Sequence, residues 1–158
     1  MPDMDSIDIQ ILRLLRNDAR VPMGTIGDQL GLSKATISRR LAKLEQEGVI
    51  SGYSVQLNSS RLEVMRAFIA IEVSGASVSE VIEELKTFEG IRSIYKSFGD
   101  HNLICEFYTS SVDSLYDLIQ DRILKIPSIH NVEVDILVDY IEVNPNADLD
   151  IYVREGDR

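Results

Sequence analysis

Apolar residues recur at helical spacing in three short blocks near the N-terminus. Ile7, Ile11, Leu14 and Leu15 mark one face of a helix predicted from about Ser6 to Asn17. Asp5 and Asp8, three residues apart at its start, form a capping pair that also suits the positive helix end. The stretch from Asp18 to Pro22 reads as a connector, with Pro22 placed at the start of the next helix. Ile26 and Leu30, one turn apart, give a short second helix. Gly24 and Gly27 weaken it by about 1 kcal/mol each relative to alanine, so tertiary packing must support it. Gly27 also leaves room for a close approach. Gly31 ends that helix, Leu32 fills the corner, and Ser33 caps a third helix running to about Glu47 before Gly48. The third helix buries Ile37, Leu41 and Leu44.

The pattern then changes period. Residues 51–57 read as a short extended hinge strand and 58–65 as a linker loop. MRAFIAIEV (65–73) is a strand, and Val78, Val81, Ile82 and Leu85 define a helix from Ser77 to Phe88. Strands from Ile91 to Phe98 and from Leu103 to Tyr108 flank the turn Gly99-Asp100-His101-Asn102. Leu115, Leu118, Ile119 and Ile123 mark a helix from Ser111 to Lys125, and Ile129 to Val143 is a long last strand. The order β-α-β-β-α-β is a ferredoxin-like split unit, with both helices on one face of a four-stranded antiparallel sheet. Phe68, Ala70, Ile94 and Ile104 are expected on the other face, enough apolar surface to call for a partner subunit.

The predicted architecture is therefore α+β: a winged-type helix-turn-helix, joined by a hinge strand to a ferredoxin-like βαββαβ domain. The boundaries are 1–52 for the first domain, 53–65 for hinge and linker, 66–143 for the second domain and 144–158 for a tail. The tail is expected to have flexible ends, with Ile151-Tyr152-Val153 as its docking segment.

Composition alters this picture only through charge. The net charge is −10, which argues against nucleic acid until its distribution is considered. Residues 1–60 carry seven bases and seven acids, and residues 61–158 hold the remaining nine and nineteen. Between Lys34 and Lys43 there are four bases and no acid. Screening over ~8–10 Å lets such a stripe bind phosphate despite distant acids. The single cysteine excludes an internal disulfide. No apolar run reaches the ~18–20 residues of a membrane span, and the acidic start is not a targeting peptide, so a cytoplasmic protein is expected.

The outer face of the third helix carries Ala35, Thr36, Arg39 and Lys43, with Ser38 and Arg40 on its shoulders and Ser33 and Lys34 at its start. Slim residues admit a helix to the major groove, arginine reads guanine edges, and hydroxyls and lysine hold phosphates. Two short helices joined by a glycine turn, the second basic and free of acids outside, make a helix-turn-helix for double-stranded DNA.

Residues 4–58 resemble the DNA-binding half of the Lrp/AsnC (feast/famine) transcription regulators, through MDSIDIQIL, NDAR, LGLSKATISRRLAKLEQEGVI and GYSVQLN. Pro22 and Ser59 depart from that pattern, outside the reading face. The resemblance extends to about residue 144. It implies a sequence-specific regulator that binds pseudo-palindromic promoter sites, with a second domain that dimerises sheet to sheet and assembles further, commonly to octamers. It also implies an amino-acid effector site at Ser97, Phe98, Gly99, Asp100, His101 and Asn102, although Asn102 stands where an aspartate is common. Gly-Asp and Asn are equally the residues of a plain hairpin turn. Glu133, Asp135 and Asp139 alternate along the last strand, and an acidic wall there would favour a basic effector.

No catalytic constellation emerges. His101 and His130 lack metal-ligand spacing, Cys105 reads as a small core residue, and no glycine-rich phosphate loop is present. No cofactor or metal is expected, and an enzyme is the poorest reading. The alternative to a regulator is a ligand-binding or assembly module that binds DNA only weakly, which leaves the basic helix without a purpose.

Overall fold

The computed structural model describes residues 3–74 and 78–156. The chain divides into two compact units, one formed by residues 3–56 together with 141–156 and the other by 57–140. Among the described residues no helix is long and apolar enough to cross a membrane.

The first unit begins with α1 (Ser6–Asn17), α2 (Met23–Leu30) and α3 (Lys34–Gln46). Asp5 accepts hydrogen bonds from the N–H groups of Ile7 and Asp8, while Asp8 accepts from the N–H of Asp5. The pair is thus a reciprocal capping box. Ile11, Ile26, Ile37 and Leu41 form the core, with Ile7, Leu14, Leu15 and Leu30 around it. The support that α2 needs comes from Ile26, fully buried, and from Gly27. A Cβ at Gly27 would lie 2.5 Å from the carbonyl oxygen of Leu32, so the close approach is made by the turn's own backbone. Gly31 occupies the left-handed region (φ 67°), which only glycine enters without cost, and sends the chain into α3.

The tail differs from expectation. Residues Ala147–Gly156 form a helix, α6, that belongs to the first unit. Arg13 bonds Asp150 at 2.7 Å, Arg16 grips both carboxylate oxygens of Asp148 and the carbonyl of Pro145, and the N–H of Met4 donates to the Tyr152 hydroxyl. Leu149 is buried between the two aspartates. Ile9 shares the face of α1 that carries Arg13 and Arg16, and it too is buried.

The second unit opens with a 3-10 turn (Ser59–Arg61), then β1 (Met65–Val73), α4 (Val78–Leu85), β2 (Ile91–Lys96), β3 (Leu103–Thr109), α5 (Val112–Asp121) and β4 (Ile129–Leu137). Ser77, the expected first residue of α4, lies outside the described residues. The sheet order is β2-β3-β1-β4, antiparallel throughout, as a ferredoxin-like fold requires. Ala67, Ile69, Ile71, Leu103, Cys105 and Phe107 face the helices and pack on Val81, Leu85, Leu115 and Ile123.

Several boundaries shifted, each for a local reason. Segment 51–57 pairs with no strand among the described residues, so the hinge is extended without a ladder. β4 stops at Leu137, the partner of Arg66, because β1 extends only one residue further, to Met65. Asp139 therefore does not continue the strand's alternation. The helix after Ser111 breaks at Arg122 and ends in a 3-10 turn, Ile123–Lys125.

Ile94 is a correction. A bulge between Ile91 and Ser93 places both Ile91 and Ile94 on the helix side, where they pack against the core. The opposite, open face carries Phe68, Ala70, Ile104 and Tyr95 around Glu106. That carboxylate is 5% exposed and lies 2.8 Å from Arg66 and 3.6 Å from Arg92.

Candidate nucleic-acid interface and effector turn

Serine at the start of α3 shapes the reading face before any ligand does. Ser33 accepts from the N–H of Thr36, and the two hydroxyls lie 2.9 Å apart. Both are thereby held at the helix entrance, where free backbone N–H groups favour a phosphate. Lys34, Ala35, Ser38, Arg39 and Lys43 are exposed on one side of α3, opposite buried Ile37, Leu41 and Leu44. Lys43 reaches the carbonyl of Asp3 at 3.3 Å and Glu47 at 3.8 Å, both at the helix margin. Arg39 makes no hydrogen bond or ion pair with the other described residues, so its guanidinium stands open for an incoming ligand.

Arg40 departs from the expected phosphate contact. Its Nη1 lies 2.8 Å from Asp5 Oδ2 and 2.8 Å from Asp8 Oδ1, with its side chain 26% exposed and that of Asp8 5%. The guanidinium is committed inside the unit. The nearer partner, Asp8, is 32 residues away in sequence, and nothing in the local pattern of either helix points across that distance.

These carboxylates give the unit an acid sensitivity. The N–H of Asp8, and then Arg40, hold Asp5 below its ordinary range, and Arg16 does the same for Asp148. A carboxyl depressed by folding contributes stability above its unfolded pKa of about 3.9, and that contribution is lost as pH falls through the folded value. Acid titration followed by amide NMR should therefore show α1 and α6 loosening below about pH 4. Intact α1 and α6 signals down to pH 2 would contradict this coupling.

The turn from Ser97 to Asn102 is a different kind of site. The Ser97 N–H donates to the carbonyl of Asn102, whose own N–H donates to Ile71. The Asn102 side-chain oxygen accepts from the N–H of Val73 at 2.6 Å. Asn102 therefore anchors the turn to the end of β1 and does not reach outward. Phe98, Gly99 and Asp100 are exposed, and Phe98 is wholly so. His101 Nε2 lies 3.5 Å from Glu133, which with Asp135 lies on the open sheet face opposite Ala70 and Phe68. A groove of about 610 Å³ on the helix side, lined by Phe88, Arg122 and Pro127, takes in no residue of this turn. In the single chain the turn faces solvent.

Cys105 is fully buried on β3, and burial pushes its thiol up to about 11, the opposite of what a nucleophile needs.

Residues 4–45 match the family model of the AsnC-type helix-turn-helix domain, and residues 66–143 that of the Lrp/AsnC ligand binding domain. The HTH-type transcriptional regulator LrpA of Pyrococcus horikoshii is 33% identical over 130 residues, which cover 82% of this chain and 92% of that protein. The chain belongs to the Lrp/AsnC family.

Solved Lrp/AsnC structures superpose over most of its length. E. coli AsnC matches with a TM-score of 0.80 at 24% identity, covering 90% of this chain and 97% of that one, which establishes the shared fold. A feast or famine regulatory protein from M. tuberculosis, in complex with L-methionine, matches with the same TM-score and coverage at 25% identity. As an Lrp/AsnC protein the chain is a helix-turn-helix transcription regulator and not an enzyme. Both family models end by residue 143, so α6 lies beyond them.

Proposed function

We propose that this Lrp/AsnC regulator binds pseudo-palindromic promoter DNA as a dimer or higher oligomer, with an amino acid or related small molecule as effector. The observation that carries the DNA reading is the face of α3. Lys34, Ser38, Arg39 and Lys43 project from it with no acid between them, although the whole chain is strongly acidic. Two such helices related by a dimer axis suit half-sites one or two helical turns apart.

Dimer formation is supported by the open sheet face, where Phe68, Ala70 and Ile104 need cover. The effector reading rests on the relative solved with L-methionine and on the exposed turn at Phe98, Gly99 and Asp100. Glu133 and Asp135 beside that turn favour a cationic amino acid over an anionic one. Calorimetric titration with the twenty amino acids tests both points, and heat from none of them would remove the effector. A cytoplasmic location follows from a role on promoter DNA.

Within this scheme Arg39 reads bases and Lys43 holds phosphate. Selection from a random duplex pool at two salt concentrations should enrich an inverted repeat. On that repeat Arg39→Ala should cost ~1–3 kcal/mol and relax the preferred sequence. Lys43→Ala should weaken all sequences alike and shallow the salt dependence by about one ion. Uniform loss from both substitutions would remove the base-reading role from Arg39. No enriched repeat at all would remove the regulator mechanism.

A further inference from the structure

Arg40 sits on the recognition helix, carries a permanent charge, and yet points inward. Its Nη1 bridges two carboxylates, Asp5 Oδ2 and Asp8 Oδ1, each at 2.8 Å. Neither aspartate is an incidental partner. Asp5 is the N-cap of α1 and accepts from two backbone N–H groups, while Asp8 accepts with its other oxygen, Oδ2, from the Asp5 N–H. The three side chains form one network, in which each aspartate bonds both the Arg40 Nη1 and backbone N–H groups of the α1 cap. It joins the first turn of α1 to the middle of α3, next to Arg39 and one turn from Lys43.

The charge of this network is opposite to what simple attraction to DNA would want. Two aspartates stand beside the phosphate-facing helix, and they neutralise one of only four bases on it. A domain evolved for electrostatic affinity alone gains nothing from that arrangement. Two carboxylates meet one nitrogen, Nη1, and because its two N–H donors lie in the plane of the guanidinium the pair fixes direction as well as distance. The apolar stripe of Ile37, Leu41 and Leu44 fixes depth, but a helix resting on three aliphatic side chains can still roll about its axis. The bridge from Arg40 blocks that roll.

We propose that Arg40 is a positioning residue, which through Asp5 and Asp8 sets the rotation at which α3 presents Arg39, Ser38 and Lys43 to the groove. The proposal rests on the DNA-reading role of α3. It replaces a phosphate contact by Arg40 with a contact that acts through its neighbours.

Asp8→Asn separates this from the alternatives, because electrostatics and positioning predict opposite signs. Removing an acid from a DNA-binding unit raises affinity for any duplex if charge is all that matters. If α3 loses its stop, affinity for the selected repeat falls while affinity for random duplex holds or rises. The ratio of the two should drop on the order of tenfold, the size of one lost base contact. Loss of folded protein lowers both affinities by one factor and leaves the ratio unchanged, so the ratio distinguishes positioning from stability. Asp5→Asn provides the milder variant, since asparagine caps a helix about as well as aspartate. It should fold and lower the ratio a few-fold. Arg40→Gln should lower the ratio without altering the salt slope, whereas loss of a phosphate contact would make that slope shallower by about one.

The experiment measures all four proteins, wild type included, on the selected repeat and on random duplex at several salt concentrations, with a thermal melt of each. Absence of any preference in the wild type would remove the DNA-reading role itself. A wild-type preference with an unchanged ratio in Asp5→Asn and Asp8→Asn overturns the positioning role and leaves the regulator intact. If Asp8→Asn does not fold, the ratio in Asp5→Asn decides.

Discussion

Replacing Gly27 by alanine should unfold the DNA-binding unit at a temperature where the parent is stable. Helix propensity alone predicts the reverse, since alanine gains up to about 1 kcal/mol over glycine inside a helix. Gly24, three residues earlier in α2, shows what that gain requires: a Cβ there meets nothing within 4 Å. At Gly27 the added carbon would stand 2.5 Å from the Leu32 carbonyl oxygen and 3.6 Å from the Lys34 nitrogen. Those are backbone atoms, and Leu32 is itself tied back by its N–H to the Gly27 carbonyl at 2.8 Å. The turn cannot move without breaking the step from α2 into α3. The net effect should be a loss of roughly 2 kcal/mol or more, as overpacking exceeds the propensity gain. Thermal melts of Gly24→Ala and Gly27→Ala should shift in opposite directions from the wild type. Two upward shifts would show that the turn yields more easily than its hydrogen bonds imply.

Removal of residues 144–158 should have an effect of similar size, and on the same unit. Each arginine–aspartate pair between α1 and α6 is partly exposed and contributes only about 0–1 kcal/mol. The larger part comes from Leu149, whose burial is worth roughly 1.5–3 kcal/mol. For a unit of this size, losing about 2–3 kcal/mol lowers the melting temperature by on the order of 10 °C. Calorimetry of full-length and truncated protein should show the first unit's transition moving and that of 57–140 staying. If both hold their positions, α6 is bound too weakly to matter. Leu149→Ala should reproduce much of the shift without shortening the chain.

Much of the architecture was legible because its signals are local. The step at Gly31, the cap at Ser33 and the stripe Ile37-Leu41-Leu44 lie within one turn of what they control, and α3 appeared within a residue of its expected ends. The βαββαβ order was equally plain, because each element carries its own period. What escaped reading depends on partners far along the chain. A bulge, which no alternation announces, put Ile94 on the helix side. The length of β4 is set by where β1 begins. Asp5 and Asp8 read as a cap and nothing more, since their second partner, Arg40, lies on another helix. Asn102 belonged to an expected ligand turn, yet its amide oxygen is used by the Val73 N–H. The apolar residues Ala147, Leu149, Ile151 and Val153 of α6 alternate along the chain and so carry no helical period. The segment is a helix because Arg13 and Arg16 supply partners for its first turn.

The N-terminal and C-terminal segments meet in one unit, and that bears on exchange of DNA-reading heads among relatives. A chimera cut once, after residue 56, would carry α1, α2 and α3 into a new host without α6. Its Arg13 and Arg16 would lose Asp150 and Asp148 and meet whatever ends the host chain. The portable head is two pieces of chain, 3–56 and 141–156, and a graft has to be spliced at both junctions to bring its own lining with it.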